Sequence, residues 1–378
     1  MIRFLHTSDW QLGMTRHFLK EGEQEKFAQA RVDAIRKLGE VAAEENCEFI
    51  VVSGDVFDSN QVDRRTVSRA LEAMAGISVP VYFLPGNHDP LNEASVFRSP
   101  EFLKHKPGNV HVLEDETPVE VGKGVEIIGT PWLAKKIVHD PVAHACAELE
   151  LAKGLRICVT HGIMDSLSPD KSDPSLIVLE DAEKLISHGA IHYLAVGDRH
   201  SVTNVGSTGR IWYSGSPEPT AYREIKPGQV LVVELDEKSC EVKEVPVGTW
   251  TFIEERINLN NDDDLQALEE WLGSMENKER TVVKLRFEGI LNLTQNARLQ
   301  GILEHMEDLL AALEIRDKDP GKELVIVTDD ADFEDLGFSG FAQKTMDRIR
   351  EQARVEGEGG ETARDALALL VRLAGGAS

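Results

Sequence analysis

The chain has 378 residues, enough for one large α/β core and a smaller second domain. Its formal net charge of −25 excludes a surface that grips a polyanion unaided, so any nucleic-acid role needs local cations, a divalent metal or a partner. No run approaches the ~18–20 uninterrupted apolar residues of a bilayer span, and four scattered cysteines, Cys47, Cys146, Cys158 and Cys240, form no CxxC pair and argue against a disulfide framework or a zinc–cysteine site. The opening residues, Met1 to His6, run into a motif rather than through a signal-peptide pattern, which leads us to expect a cytoplasmic protein with no membrane association. Short apolar runs predict buried strands at Ile2–Leu5, Phe49–Val52, Val81–Leu84, Val125–Ile128, Ile157–Thr160 and Tyr193–Val196. Apolar residues at helical spacing (Phe27, Ala30, Ile35, Leu38, Val41) predict a helix over Glu23–Glu45, and similar patterns mark Arg64–Ala75 and Pro141–Lys153. Alternation of this kind means an α/β core, in which reactive residues gather at the carboxyl ends of strands.

From Arg210 the texture changes. Ile211–Ser214, Gln229–Leu235 and Val242–Val247 read as strands without helices between them, and Trp250–Leu259 as a segment leading out of the core. A β-α-β pattern follows, with a helix at Leu265–Met275 before it: strand Thr281–Phe287, helix Gln295–Leu313, strand Glu323–Thr328. The tail reads as a helix at Ala342–Ala353, a Gly/Glu linker at Val355–Glu361 and a very apolar helix at Thr362–Ala374.

The expected strand ends carry a consistent chemistry. Asp9 follows the first, Asp55 the second, Asn87 and His88 the third; His161 follows a later one, and Asp198 and His200 follow Tyr193–Val196. An Asp after a strand is more often a helix cap than a ligand; the joint set, in this order and read as lying on one sheet edge, points instead to hard metal ligands. Two divalent ions roughly 3.5–4 Å apart can clamp a phosphate ester and generate hydroxide at neutral pH. They need a carboxylate that bridges them and oxygen or imidazole donors on either side, which suits manganese, iron or zinc.

The strings His6-Thr7-Ser8-Asp9-Trp10, Gly54-Asp55-Val56-Phe57-Asp58, Pro85-Gly86-Asn87-His88-Asp89, Gly129-Thr130-Pro131-Trp132, Thr160-His161-Gly162 and Ser214-Gly215-Ser216-Pro217 resemble those of the calcineurin-like metallophosphoesterases. Within them the set is similar to the SbcD-type nuclease subunits, which work with an SMC-like ATPase in DNA double-strand-break processing. The resemblance is dense over residues 1 to about 220. It implies a two-sheet sandwich flanked by helices over 1–250, a smaller α/β capping domain over 251–335, and a C-terminal helical segment over 336–378 that docks the ATPase. It implies that Asp55 bridges two metals, that Asp9, Gln11 and His200 complete one ion, and that Asn87, His161 and Asp198 complete the other. His88 would protonate the leaving oxygen, with Asp89 either orienting its ring or capping a turn.

Two positions depart from the family pattern. Asp-x-His is here Asp9-Trp10-Gln11, and Gly-His-x-His is Gly197-Asp198-Arg199-His200. A neutral amide oxygen replaces an imidazole, and a carboxylate replaces another, which favours manganese or magnesium over zinc. Arg16 and Arg199, with lysines and arginines near the other motif loops, are expected to meet the DNA backbone; the alternative for each is ordinary solvated charge. The resemblance also implies a homodimer. Two other functions remain open: a small-molecule phosphodiesterase, and a weakly active or non-catalytic adaptor of the ATPase.

Overall fold

The computed structural model describes residues 1–122, 124–316, 324–327 and 340–353, together with 359, 360, 362, 363 and 366. The chain forms two compact units, Met1–Trp250 and Thr251–Ser378. In the first, strands run as β1 (Ile2–Thr7), β2 (Ile50–Val52), β3 (Val81–Phe83), β4 (Val110–Val112), β5 (Val119–Gly122), β6 (Val125–Gly129), β7 (Leu155–His161), β8 (Tyr193–Gly197), β9 (Thr203–Asn204), β10 (Ile211–Tyr213), β11 (Gln229–Leu235) and β12 (Cys240–Pro246). They make two six-stranded sheets, ordered β12-β11-β1-β2-β3-β4 and β5-β6-β7-β8-β10-β9. In the first sheet β1 to β4 are parallel, and β11 and β12 are added antiparallel; in the second, β6, β7, β8 and β10 are parallel.

Period-two burial decides how the sheets stack. Phe4, Val51 and Tyr82 from one sheet meet Ile157, Val159, Tyr193 and Ala195 from the other in a shared core. The alternate residues point outward. Leu5, Ile50 and Val52 pack under α1 (Glu21–Glu44) and α2 (Arg64–Ala75), and Cys158, Leu194 and Val196 pack under α4 (Pro141–Cys146) and α5 (Leu179–Ser187), α3 being the short helix Pro100–His105. The result is a helix–sheet–sheet–helix sandwich. The single sheet edge inferred from the strand ends is thus two edges, one from each sheet. A continuous apolar run looks the same in either, so the pattern alone does not divide them.

Several expected elements differ in extent. The helix over Pro141–Lys153 stops at Cys146, because the chain must turn to bring Gly154 against Gly124, where a Cβ would lie 2.1 Å from the Gly124 carbonyl. In the second unit Trp250–Leu259 is not a lead-out but a strand, β13 (Thr251–Leu259), followed by α6 (Asp262–Ser274). The strand β14 (Thr281–Asn292) runs well past Phe287. The helix α7 (Leu293–Glu307) begins with a reciprocal Asn292/Gln295 cap and ends six residues before Leu313. Residues beyond it return as β15 (Ala312–Ile315), with β16 (Leu324–Val327) after that. All pair with β14 in parallel: β13 along one side, β15 and β16 along successive halves of the other. Of the tail, α8 (Phe341–Ala353) is described, and buries Met346 with Leu293 and Ala297 of α7. Most of the linker Val355–Glu361 and of the helix expected at Thr362–Ala374 lies outside the described residues. No described helix is long and apolar enough to cross a membrane.

Candidate metal centre

The loops after β1, β2, β3 and β8, and the last residue of β7, converge at the carboxyl edges of the two sheets. Asp9 N–H donates to the Gly54 carbonyl at 3.1 Å and Gln11 N–H to the Asp55 carbonyl at 3.0 Å, tying the first loop to the second. Among the described residues seven non-glycines have positive φ, and four of them are expected ligands: Asp9 (53°), Gln11 (50°), Asp55 (52°) and Asp198 (89°). Each such conformation costs on the order of 1–3 kcal/mol and persists where surrounding structure over-determines it. Glycine is required where these loops pack against the candidate ligands. A Cβ on Gly54 would lie 2.2 Å from His161 Nδ1, and one on Gly86 2.2 Å from Asp55 Oδ1.

The protons of the two histidines follow from their partners. His161 Nδ1 lies 2.8 Å from the Ser53 carbonyl, which can only accept, so Nδ1 carries the hydrogen. Nε2, whose lone pair is free for a metal once the ring is neutral, then faces three oxygens: Asn87 Oδ1 at 3.0 Å, Asp55 Oδ1 at 3.4 Å and Asp198 Oδ1 at 3.6 Å. His200 Nε2 likewise faces Asp9 Oδ1 at 3.6 Å. One donor atom each from Asp9, Asp55 and His161 fall within 4.8 Å of one another. Around a divalent ion with bonds of ~2.1 Å, adjacent donor atoms sit roughly 3.0 Å apart in an octahedron and roughly 3.4 Å apart in a tetrahedron. A buried cluster of acceptors at these separations fits a cation.

Charge balance points the same way. Asp9, Asp55 and His161 are essentially inaccessible to solvent. Burial, reinforced by the Asp55 charge, pushes the Asp9 carboxyl up to about 6. Burial also raises Asp198, more than His161 opposes it. Burial would lift Asp55 as well, but the neighbouring His161 and the His88 N–H hold it below the ordinary carboxylate range. Burial alone would lower His161 and His200; the surrounding carboxylates, Asp55 first for His161 and Asp9 first for His200, raise both instead. Among the described residues the ion-pair partners of Asp9, Asp55 and Asp198 are these two imidazoles, with no lysine or arginine. The site is short of positive charge, which divalent ions supply.

Gln11 is buried beside Asp55, with its amide Nε2 3.1 Å from Asp55 Oδ2. The His88 ring is exposed. Its Nδ1 lies 2.9 Å from the Asp58 carbonyl, and its backbone N–H donates to Asp55 Oδ1 at 3.0 Å. Asp89 does not orient that ring. Both its oxygens accept backbone hydrogens, from Gly86 at 2.7 Å and Phe57 at 2.9 Å, so it braces the loop, and burial beside Asp55 raises its carboxyl to about 7. Arg16 donates through Nε to the Thr220 carbonyl at 2.9 Å, and Arg199 through Nε to Thr203 Oγ1 at 2.9 Å. Trp132 donates to the His161 carbonyl at 2.7 Å, and Trp10 packs edge-on against Phe83. Residues that sequence reasoning passed over stand behind the candidate ligands. Ser8 donates to Asp9 Oδ2 at 2.6 Å, and Thr220 and Glu224 meet His200 Nδ1 at 2.5 and 3.1 Å. Ser8 abuts a motif residue; Glu224, far along the chain from His200, carries no local signal.

Comparison with known proteins agrees with this geometry. A DNA double-strand break repair protein Mre11 of Saccharolobus solfataricus is 27% identical over 136 residues, which is 35% of this chain and 34% of that protein. An SbcCD nuclease subunit of Rhodobacter capsulatus is 31% identical over 118 residues, 30% of this chain and 26% of that protein. The corresponding SbcCD protein of Bacillus subtilis is 24% identical over 251 residues, 65% of this chain and 56% of that protein. The chain thus spans between about a quarter and just over half of the length of these relatives. The profile of the calcineurin-like phosphoesterases matches residues 2–218, more than half of the chain and the whole span that holds the candidate ligands, and the chain belongs to that family.

Proposed function

We propose that this phosphoesterase is a DNA nuclease subunit that hydrolyses phosphodiester bonds with two divalent ions, manganese foremost, as exonuclease or endonuclease. The observation that carries the reading is the ring of acceptors around His161 Nε2, Asp55 buried and Asn87 and Asp198 half-buried, with an exposed imidazole, His88, next to Asn87 in the chain. Asp55 is suited to bridge; Asp9, Gln11 and His200 would hold one ion, and Asn87, His161 and Asp198 the other. Bound there, the ions supply Lewis acidity at the phosphoryl oxygen and an acidified water. Three carboxylates against two divalent cations leave the centre net positive, which suits an anionic diester. His88, its Nδ1–H held by the Asp58 carbonyl, directs Nε2 outward, and the doubly protonated ring would give its Nε2 proton to the leaving oxygen, remaining as the neutral Nδ1–H imidazole. Arg16 and Arg199, each anchored through Nε, are the cations proposed for the DNA backbone.

With a charge of −25 the chain needs help to hold DNA. Two of the relatives are named as subunits of a nuclease rather than as whole nucleases, and we assign the missing grip to a partner of the SMC-like ATPase type. A reducing compartment, the cytoplasm, suits the four free cysteines.

The test assays linear double-stranded DNA beside bis-p-nitrophenyl phosphate over a manganese titration. Hydrolysis of both is expected, with His88→Ala lowering kcat by about 10²–10⁴-fold while manganese uptake is retained. Cleavage of the small ester with DNA untouched transfers the substrate to small molecules. A His88→Ala protein as active as wild type removes the catalytic role.

A further inference from the structure

Behind His200 lies a polar pair outside the motif strings. Thr220 Oγ1 is 2.5 Å and Glu224 Oε1 3.1 Å from His200 Nδ1. The Thr220 hydroxyl donates to Glu224 Oε1, and the Thr220 backbone N–H reaches both carboxylate oxygens, at 2.9 and 3.1 Å. Arg16 fastens the same residue from the other side, through the Thr220 carbonyl. The Glu224 side chain is 6% exposed and Thr220 2%, so the arrangement is built into the fold.

A carboxylate, and a hydroxyl already donating to that carboxylate, can only accept from the imidazole. Nδ1 therefore carries hydrogen, and in the neutral, metal-binding form of the ring Nε2 turns its lone pair toward Asp9 Oδ1 at 3.6 Å. Two acceptors so placed repel unless a proton on Nε2 or a metal cation lies between them, and a metal that displaces the proton takes up that lone pair. The remaining residue on that side, Gln11, brings a neutral amide whose nitrogen is directed at Asp55 Oδ2. We infer that Glu224, acting with Thr220, is a positioning residue that fixes the tautomer of His200, aims Nε2, and enriches its donor strength where Gln11 contributes little. The His161 side differs: a neutral carbonyl, that of Ser53, backs its imidazole, and Asp198 and Asn87 add oxygen donors directly. The two ions are accordingly unequal, and the Asp9/His200 ion is the one that depends on Glu224. This inference rests on the two-ion reading proposed above.

The experiment titrates the apo chain of 378 residues with Mn²⁺ alone and follows the free aqueous ion by electron paramagnetic resonance. Wild type is compared with Glu224→Gln, which keeps the shape and removes the charge, and with Thr220→Val. The expected result is two classes of site in wild type, with the weaker class falling about 10–100-fold in Glu224→Gln, less far in Thr220→Val, and the stronger class unchanged. Gln11→His introduced into Glu224→Gln restores the weaker class. Unchanged affinities, an equal loss at both sites, or a lowered apo unfolding midpoint with affinities intact overturns the inference and leaves the metal reading standing. A wild-type chain that takes up no Mn²⁺ removes both.

Discussion

Asp55 accepts two hydrogens before any ion is considered, from the His88 N–H at 3.0 Å and the Gln11 amide at 3.1 Å, one on each oxygen. Its position also depends on an absence: Gly86 has no Cβ to occupy the space its carboxylate and backbone nitrogen fill, 2.2 and 2.6 Å from where that carbon would stand. A backbone atom cannot swing aside, so Gly86→Ala must move the loop. We expect a loss of about 1–3 kcal/mol in urea unfolding together with loss of Mn²⁺ uptake. Gly22→Ala is the matching control. It lies exposed in the first turn of α1 with nothing within 4 Å of the new carbon, and alanine there should be neutral or gain up to about 0.5 kcal/mol. Equal effects at the two positions would show that the crowding at Asp55 has no energetic consequence. At this scale the candidate ligands were legible because each follows an apolar run in a short Gly-marked string. Asp89 shows the limit: adjacency to His88 in sequence suggests a ring partner, but the turn geometry sends its carboxylate back to two amides.

Among the elements, β1 holds a central place in its sheet, antiparallel to β11 and parallel to β2, and also reaches across the core through His6. Ser53 Oγ donates to the Ala195 carbonyl at 3.2 Å, so it accepts from His6 Nε2 at 3.1 Å; Nδ1 then accepts from the Tyr193 hydroxyl at 3.1 Å. The neutral ring satisfies both partners, and a second proton would displace Tyr193. Complete burial accordingly lowers the His6 pKa from 6.5 to about 3. The unfolded chain binds this proton below 6.5 and the folded one does not, so the contribution of His6 is fully present above about pH 6.5. It is lost as the pH falls toward 3, by about 1.4 kcal/mol per unit for this one proton. Carboxylates titrate in the same range, so the measurement is the difference between wild type and His6→Gln. Urea unfolding at pH 7, 6, 5 and 4 should show the wild type losing more stability per unit below 6.5; parallel curves would mean that His6 is protonated in the fold. Elements of this kind, buried strands with period-two or continuous apolar runs, could be found from sequence within a residue or two. What could not be found were strands whose outer faces are wet, such as β5 with two exposed residues, and the return of the chain after α7, where apolar residues continue at helical spacing into β15.

For the molecule as a whole, the decisive fact is that every candidate ligand, and the two cores that flank the first sheet, belong to Met1–Trp250, while Thr251–Ser378 has its own core around β14. The last strand of the first unit, β12, closes its sheet on β11, and Glu218 accepts from the backbone of Thr249 and Trp250 at 2.9 and 3.1 Å, so the chain is fastened down at the boundary. Chemistry at the metal centre should therefore need nothing beyond Trp250, whereas retention of a long polyanion by so acidic a chain should need more than the centre itself. We expect residues 1–250 alone to unfold cooperatively and to gain about 2.7 kcal/mol from each ion site whose Kd the Mn²⁺ concentration exceeds 100-fold. They should hydrolyse bis-p-nitrophenyl phosphate with the kcat of the full chain. Cleavage of double-stranded DNA by the two forms, measured with increasing salt, then separates the roles: a shared kcat on the small ester with a loss confined to DNA assigns substrate retention to residues 251–378. Loss of small-ester hydrolysis in a folded, Mn²⁺-binding 1–250 fragment would instead show that the second unit contributes to the reaction itself.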